Sequence, residues 1–322
     1  MKMNNFAKLK KELKNAEKIV LLPHINMDGD SVGSAFSFAS CLREMGKTVC
    51  VALGEEPPKY LSFLCDEYEI MPEDDFDLAI AVDCGDEERM ADRAHIFENA
   101  KKNACIDHHI SNIGFAGINV IEPDVSSTSE IMYRLINELT GNITKRQADQ
   151  LYSGMITDTG GFKYSNTTPE SLEYCADLMR KGADAANISI NIYETQSVAK
   201  IKLMNRALKS IELHAEGRIS SIVITNKDFE ETKGTIADCE GFSGIARGIE
   251  GVEAAISITQ TDKVKVSLRS KSIIDVSKVA GFFGGGGHIR ASGFSLSADT
   301  NIEELKKEIV EKLVQALKEA EK

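Results

Sequence analysis

The chain has 322 residues, 42% of them hydrophobic and 27% charged, enough for about two soluble domains with full cores. Its net charge of −12 argues against a grip on long duplex nucleic acid, which calls for a large basic surface. No apolar run nears the roughly 18 residues of a membrane span, and the seven scattered cysteines contain no Cys-x-x-Cys, so neither a disulfide framework nor a thiolate zinc site is suggested.

Residues 5–17, with Phe6, Leu9 and Leu13 on one stripe, read as an opening helix. The first six residues lack the apolar core of a signal peptide, and a reducing cytoplasm is the expected compartment. A strand over 18–23 ends in the turn His24-Ile25-Asn26-Met27-Asp28-Gly29-Asp30. A helix follows from about 31 to 45, with Val32, Phe36, Ala39 and Leu42 at helical spacing and Gly46 as its stop. After a strand over 48–53, two continuous apolar runs end in chemistry. Residues 78–82 lead to Asp83, and 104–106 lead to Asp107-His108-His109. Such runs, separated by helices, predict a parallel sheet covered on both faces.

Ser127-x-x-Glu130 reads as a capping box opening a helix to Leu139. Thr144 caps the next helix, which runs to about Thr157, and Thr168-Pro169 starts another. The stretch 187–213 is helical and charged and reads as a bridge between domains. Beyond it come strands over 219–225, 252–259 and 264–268, the last two joined as a hairpin, and a short helix over 275–280. Then come Gly284-Gly285-Gly286-Gly287-His288 and a closing amphipathic helix with Ile302, Leu305, Ile309, Leu313 and Leu317.

Taken singly, the acids and imidazoles have ordinary explanations. A lone His-x-x-x-Asp-x-Asp is more often turn and capping chemistry than a metal site. Asp83 and Asp107 alone would be strand-end or cap residues. Together, His24, Asp28, Asp30, Asp83, Asp107, His108 and His109 stand at the ends of three apolar strands, and Asp158 ends a helix. Unpaired buried carboxylates are costly, and a divalent cation relieves that cost. Carboxylates with imidazoles and no thiolate favour Mn²⁺ or a similar ion. The donors are too many for one ion. Two ions about 3.5–4 Å apart stabilise both the attacking and the leaving oxygen of an in-line displacement at phosphorus. The glycine run could be a flexible linker. Set inside a folded pattern beside His288 and Arg290, it reads better as backbone that approaches a phosphate.

His24-x-x-x-Asp28-x-Asp30, Asp83 in Val82-Asp83-Cys84-Gly85-Asp86, Asp107-His108-His109 and Asp158 resemble, in order, the four motifs of the DHH phosphoesterase superfamily. Gly284-Gly285-Gly286-Gly287-His288, following Ser267-Leu268-Arg269-Ser270-Lys271, resembles the DHHA1 domain. Length and motif order look most like the NrnA group of oligoribonucleases and pAp phosphatases.

The resemblance implies an α/β fold in two parts. A DHH catalytic domain over 1–190 would carry a mainly parallel sheet with helices on both faces. A helical linker over 191–213 would lead to a smaller α/β DHHA1 domain with a mixed sheet over 214–322, the active site lying in the cleft between the domains. It implies two Mn²⁺ ions per subunit, with Mg²⁺ or Co²⁺ as substitutes. His24 and Asp28 would hold one ion; Asp30, His108 and Asp158 the other; Asp83 would bridge both. His109 would lie against the scissile phosphate as donor or acid, and Asp107 would orient the histidines. Arg269, Gly285, Gly286, Gly287 and His288 would bind the rest of the substrate. The implied activity is hydrolysis of very short single-stranded oligoribonucleotides and dinucleotides such as pApA to mononucleotides, with pAp as a further substrate and neither membrane nor long duplex as a partner. A homodimer is the state the resemblance suggests. The competing readings are a RecJ-like single-strand DNA exonuclease, a manganese pyrophosphatase and a non-catalytic nucleotide sensor.

Overall fold

Strand β2 (Lys18–Pro23) buries both faces: Ile19 and Leu21 join one core while Val20 and Leu22 join another. That two-sided burial is why its sequence is a continuous apolar run and not an alternating one. The computed structural model describes residues 3–73, 75–239 and 241–321, and the chain divides into two units, Met1–Thr195 and Gln196–Lys322. Among the described residues, no helix is long and apolar enough to cross a membrane.

In the first unit, β1 (Met3–Asn4) and α1 (Phe6–Asn15) precede β2, and α2 (Gly29–Glu44) and β3 (Thr48–Val51) follow it. The chain continues through β4 (Leu78–Val82), α3 (Ala94–Asn99), β5 (Lys102–Asp107) and β6 (Ile118–Ile121). Helices α4 (Thr128–Thr140), α5 (Lys145–Asp158), α6 (Pro169–Arg180) and α7 (Ala185–Ser189) complete it. The sheet order is β1-β6-β5-β4-β2-β3, parallel throughout except for β1 on the edge. From β2 the chain steps to one side to make β3, then crosses to the other to make β4. The carboxyl ends of β2 and β4 therefore flank a topological switch point, where an open α/β sheet leaves a crevice. His24 follows β2 and Asp83 follows β4.

Helix α2 lies in the main core. Its Val32, Ala35, Phe36, Phe38, Ala39 and Leu42 are fully buried, each large side chain contributing about 1.5–3 kcal/mol by burial. It packs against α5 at very close range. A Cβ on Gly154 of α5 would lie 1.9 Å from Ser129 Oγ and 2.8 Å from Asp30 Oδ1, so only glycine permits the approach. That closeness carries the end of α5, and Asp158 with it, to the switch point.

The second unit begins with α8 (Val198–Lys209), β7 (Glu212–His214), β8 (Ile219–Ile224), α9 (Asn226–Thr232) and α10 (Phe242–Arg247). It continues with β9 (Ala254–Gln260), β10 (Lys263–Ser270), α11 (Val276–Gly281), β11 (Gly286–His288), β12 (Ala291–Ser297) and α12 (Ile302–Ala320). Its sheet order is β11-β12-β10-β9-β8-β7, mixed because β8 and β9 pair in parallel. Leu305, Ile309, Leu313 and Leu317 of α12 cover one face. Leu203 and Ala207 of α8 cover the other with Phe242 and Ala246. The stretch read from sequence as a bridge is thus divided: Ile190–Glu194, one π-helical turn, stays with the first unit, and α8 builds the core of the second.

Candidate metal centre

Each acid and imidazole of the centre is held by its local element. Asp28 caps α2, its Oδ1 accepting from the backbone N–H of Asp30 and Ser31, both at 3.0 Å. Its other oxygen lies 3.6 Å from His24 Nε2. Asp28 is a cap and a candidate ligand at once. His24 Nδ1 donates to the Ile25 carbonyl at 2.8 Å, which orients the ring and leaves Nε2 facing the carboxylates. Asp83 follows β4 with φ of 59°, a left-handed conformation that costs energy in a non-glycine residue and is found at functional sites.

That conformation aims Asp83 between two imidazoles. Its Oδ2 is 3.6 Å from His24 Nε2, and its Oδ1 is 3.7 Å from His108 Nε2. His108 Nε2 is also 3.6 Å from Asp158 Oδ2 and 4.0 Å from Asp30 Oδ2. These separations are too long for good hydrogen bonds. Donors about 2.1 Å from a common ion sit about 3.0–3.5 Å apart at octahedral or tetrahedral angles, close to what is seen. Three groups could hold an ion: His24, Asp28 and Asp83; Asp30, His108 and Asp158; and Asp83, His108 and His109. All six residues expected as metal ligands come together, with His109 and Asp107 beside them.

The supporting bonds reach across the fold. Asp30 accepts from the N–H groups opening α4, Thr128 at 2.7 Å and Ser129 at 2.8 Å, and from Ser34 Oγ at 3.2 Å. Thr128 Oγ1 donates to Asp83 Oδ1 at 2.8 Å. Asp107 Oδ1 accepts from His109 Nδ1 at 2.7 Å, and its Oδ2 from Asn112 Nδ2 at 2.7 Å. Asn166 Nδ2 donates to Asp158 Oδ2 at 3.1 Å. Sequence reasoning gave no part in the centre to Ser34, Asn112, Thr128, Ser129 or Asn166. Thr168 caps α6 as expected, in a box with Ser171.

Two domain profiles fit the chain: the DHH family N-terminal domain over residues 18–155 and the DHHA1 domain over 226–318. The chain is a DHH/DHHA1 phosphoesterase. The bifunctional oligoribonuclease and PAP phosphatase NrnA of Thermus thermophilus is 28% identical to this phosphoesterase over 285 residues, 86% of this chain and 84% of that one. The protein of the same name from Bacillus subtilis is 28% identical over 286 residues, 87% and 90% of the two chains. The crystal structure of an exopolyphosphatase-related protein from Bacteroides fragilis superposes with a TM-score of 0.88 at 28% identity, covering 97% of each chain.

The electrostatics of the phosphoesterase centre fit a cation. Burial would lower the His24 imidazole, but Asp28 and Asp83 outweigh it and raise it to about 10. Burial also opposes the charged form of Asp83, yet His24, His109 and His108 hold its carboxyl below the usual range. Asp30 is driven the other way, well above that range, by burial and then by the charges of Asp83 and Asp158. Asp158 is raised too, by burial and then by Asp28 and Asp83. Burial and neighbouring carboxylates thus oppose ionisation of Asp30 and Asp158, a penalty that a divalent ion would relieve.

In the second unit of the phosphoesterase, Arg269 is half-buried on β10, opposite Ala291 of β12. Its Nη1 donates to the Leu268 carbonyl at 3.1 Å. The glycine run is ordered backbone: Gly286, Gly287 and His288 form β11 against β12. A Cβ on Gly285 would lie 2.2 Å from the Gly293 carbonyl, so glycine is what lets the chain pass there. His288 is exposed, while Arg290 Nη1 is spent on the Ile274 carbonyl at 2.7 Å, holding the loop.

Proposed function

We propose that this phosphoesterase is a manganese-dependent enzyme that hydrolyses very short oligoribonucleotides, pApA among them, to mononucleotides, and that also removes the 3′-phosphate of pAp. The observation that carries the reading is the placement of Asp83, one oxygen toward His24 and the other toward His108, as a carboxylate shared by two ions would be. His24, Asp28 and Asp83 would hold one ion, and Asp30, His108, Asp158 and Asp83 the other. Carboxylate and imidazole donors without thiolate suit Mn²⁺. A bound pair of such ions supplies a nucleophile at neutral pH and offsets charge on the attacking and leaving oxygens.

The chain's own side chains do the rest. Asp107 holds His109 by Nδ1, so the ring presents its other nitrogen to the scissile phosphate as a donor. Burial works against the charged ring, but in the metal-free protein the Asp107 hydrogen bond and the Asp83 charge raise His109 to about 9. Arg269 and His288 bind a distal phosphate or base of the substrate, with the Gly285, Gly286 and Gly287 backbone alongside. The near full-length likeness to both NrnA proteins supports this choice of substrate class.

The test is a panel of 5′-phosphorylated RNAs from two to ten nucleotides, together with pAp, assayed with Mn²⁺. Dinucleotides should be turned over fastest and the longest strands poorly. Efficient processive degradation of long single-stranded DNA, with dinucleotides left intact, would overturn the assignment.

A further inference from the structure

Asp83 has a partner that ion binding alone does not require. Thr128, the first residue of α4 and wholly buried, donates its hydroxyl to Asp83 Oδ1 at 2.8 Å. The same residue's N–H donates to Asp30 Oδ2 at 2.7 Å. One residue therefore touches two of the deeply buried carboxylates that face His108. The last torsion of an aspartate is broad and soft. Left to itself, a carboxylate between two cations can turn both oxygens toward one of them. A hydroxyl fixed on Oδ1 keeps that oxygen on the His108 side and leaves Oδ2 for His24. Threonine suits the task because its branched Cβ stiffens χ1, so the hydroxyl is aimed before any ion arrives.

We propose that Thr128 is a positioning residue that sets the plane of the Asp83 carboxylate and so makes it a bridge between two ions. This rests on the binuclear reading given above. The bland alternative is a hydroxyl that merely satisfies a buried carboxylate and contributes to stability alone. Ser126 provides the comparison: its hydroxyl is equally buried, just before the same helix, but donates to Glu130 Oε2 at 2.8 Å and not to a carboxylate of the centre.

The test is calorimetric titration of Mn²⁺ into chelator-stripped full-length protein, with thermal melts of the metal-free variants. Wild type should take up two ions. Thr128→Val should keep one ion near wild-type affinity and bind the other about 10–100-fold more weakly, the range for losing a partner of a ligating group. Thr128→Ala, which removes the hydroxyl without placing an extra methyl against the carboxylate, should do the same. Thr128→Ser should hold both ions within a few-fold of wild type. Ser126→Ala should lower the melting temperature and leave both affinities unchanged. Wild-type binding of both ions by folded Thr128→Val or Thr128→Ala overturns the proposal. So does equal weakening in Ser126→Ala, or loss of the second ion in Thr128→Ser. A wild-type protein that binds only one ion overturns the binuclear reading, and the role of Thr128 with it.

Discussion

The region around Asp83 and the region around His288 are built on opposite plans. His24, Asp30, Asp83 and Asp107 are each no more than 1% exposed, and all four have hydrogen bonds or facing charges from other elements. His288 stands exposed at the end of an edge strand of three residues, after a run of glycines. The first plan suits charge that must be fixed before substrate arrives, because preorganised groups cost no reorganisation at the moment of reaction. The second suits recognition of phosphate and base by whatever backbone and basic groups come within reach. If the contrast is right, changes in the first unit should act on turnover and metal content. Changes in the second should act on substrate affinity alone.

The largest effect should come from Asp83→Asn. Asparagine tolerates the left-handed backbone, so the fold should survive while a shared charged ligand is lost. Several kcal/mol of transition-state stabilisation are at stake, and kcat for pApA should fall at least about 10³-fold. Turnover within ten-fold of wild type, with the fold intact by circular dichroism, would remove Asp83 from the centre.

Asp107→Asn comes next, with a loss of about 10–100-fold in kcat and unchanged metal content. One amide cannot serve both His109 and Asn112 as acceptor, since Asp107 uses an oxygen on each. The pH dependence gives a second reading in the metal-free protein. Burial lowers the His109 imidazole, but Asp107 and Asp83 raise it from 6.5 to about 9. The folded state therefore holds this proton more tightly than the unfolded chain does. Its contribution to stability is full below about 6.5 and is lost as pH rises through about 9. In Asp107→Asn the His109 midpoint, followed by NMR, should move down, and the loss should set in at lower pH. An unmoved midpoint would mean that Asp107 does not hold the ring.

The unequal legibility of these parts in the sequence follows from the same contrast. β2, β4 and β5 could be read because strands buried on both faces must be continuously apolar, and their ends locate Asp83 and Asp107 without further information. Glycine at β11 could not be read as a strand, since its pairing with β12 is decided by close backbone approach and not by side-chain pattern. β6 was missed because Asn119 interrupts a run of only four residues. Bonds between distant positions were out of reach for a different reason. Thr128 to Asp83 spans 45 residues and Asn166 to Ser126 spans 40, and no local periodicity encodes either. The box expected at Ser127 and Glu130 is half present. Ser127 caps the Glu130 N–H at 3.2 Å, but the Glu130 carboxylate turns to Ser126, bonding its N–H at 3.0 Å and its hydroxyl at 2.8 Å. Asp28 shows why capping and metal binding could not be separated by motif: the side chain does the first with one oxygen and is free to do the second with the other.

In the second unit the expected effects shrink and change kind. Arg269→Ala should raise KM for dinucleotides about ten-fold, the worth of one charge-assisted hydrogen bond, with kcat and metal content nearly unchanged. An equal fall in kcat would place Arg269 at the reacting centre and erase the division between the two plans.

His288→Ala is the smallest change and the finest test. An exposed side chain on a short edge strand contributes little to the fold, so stability should stay within about 0.5 kcal/mol of wild type. His24→Ala should behave otherwise, because it removes a buried imidazole from between two carboxylates 3.6 Å away and leaves their charge uncompensated. For His288→Ala, KM for pApA should rise a few-fold, and KM for pAp should rise less if the ring meets the second base and not a phosphate. Equal rises for both substrates would put His288 on the phosphate they share. No rise for either would leave the β11 backbone, with Arg269, as the whole of the recognition surface in this unit.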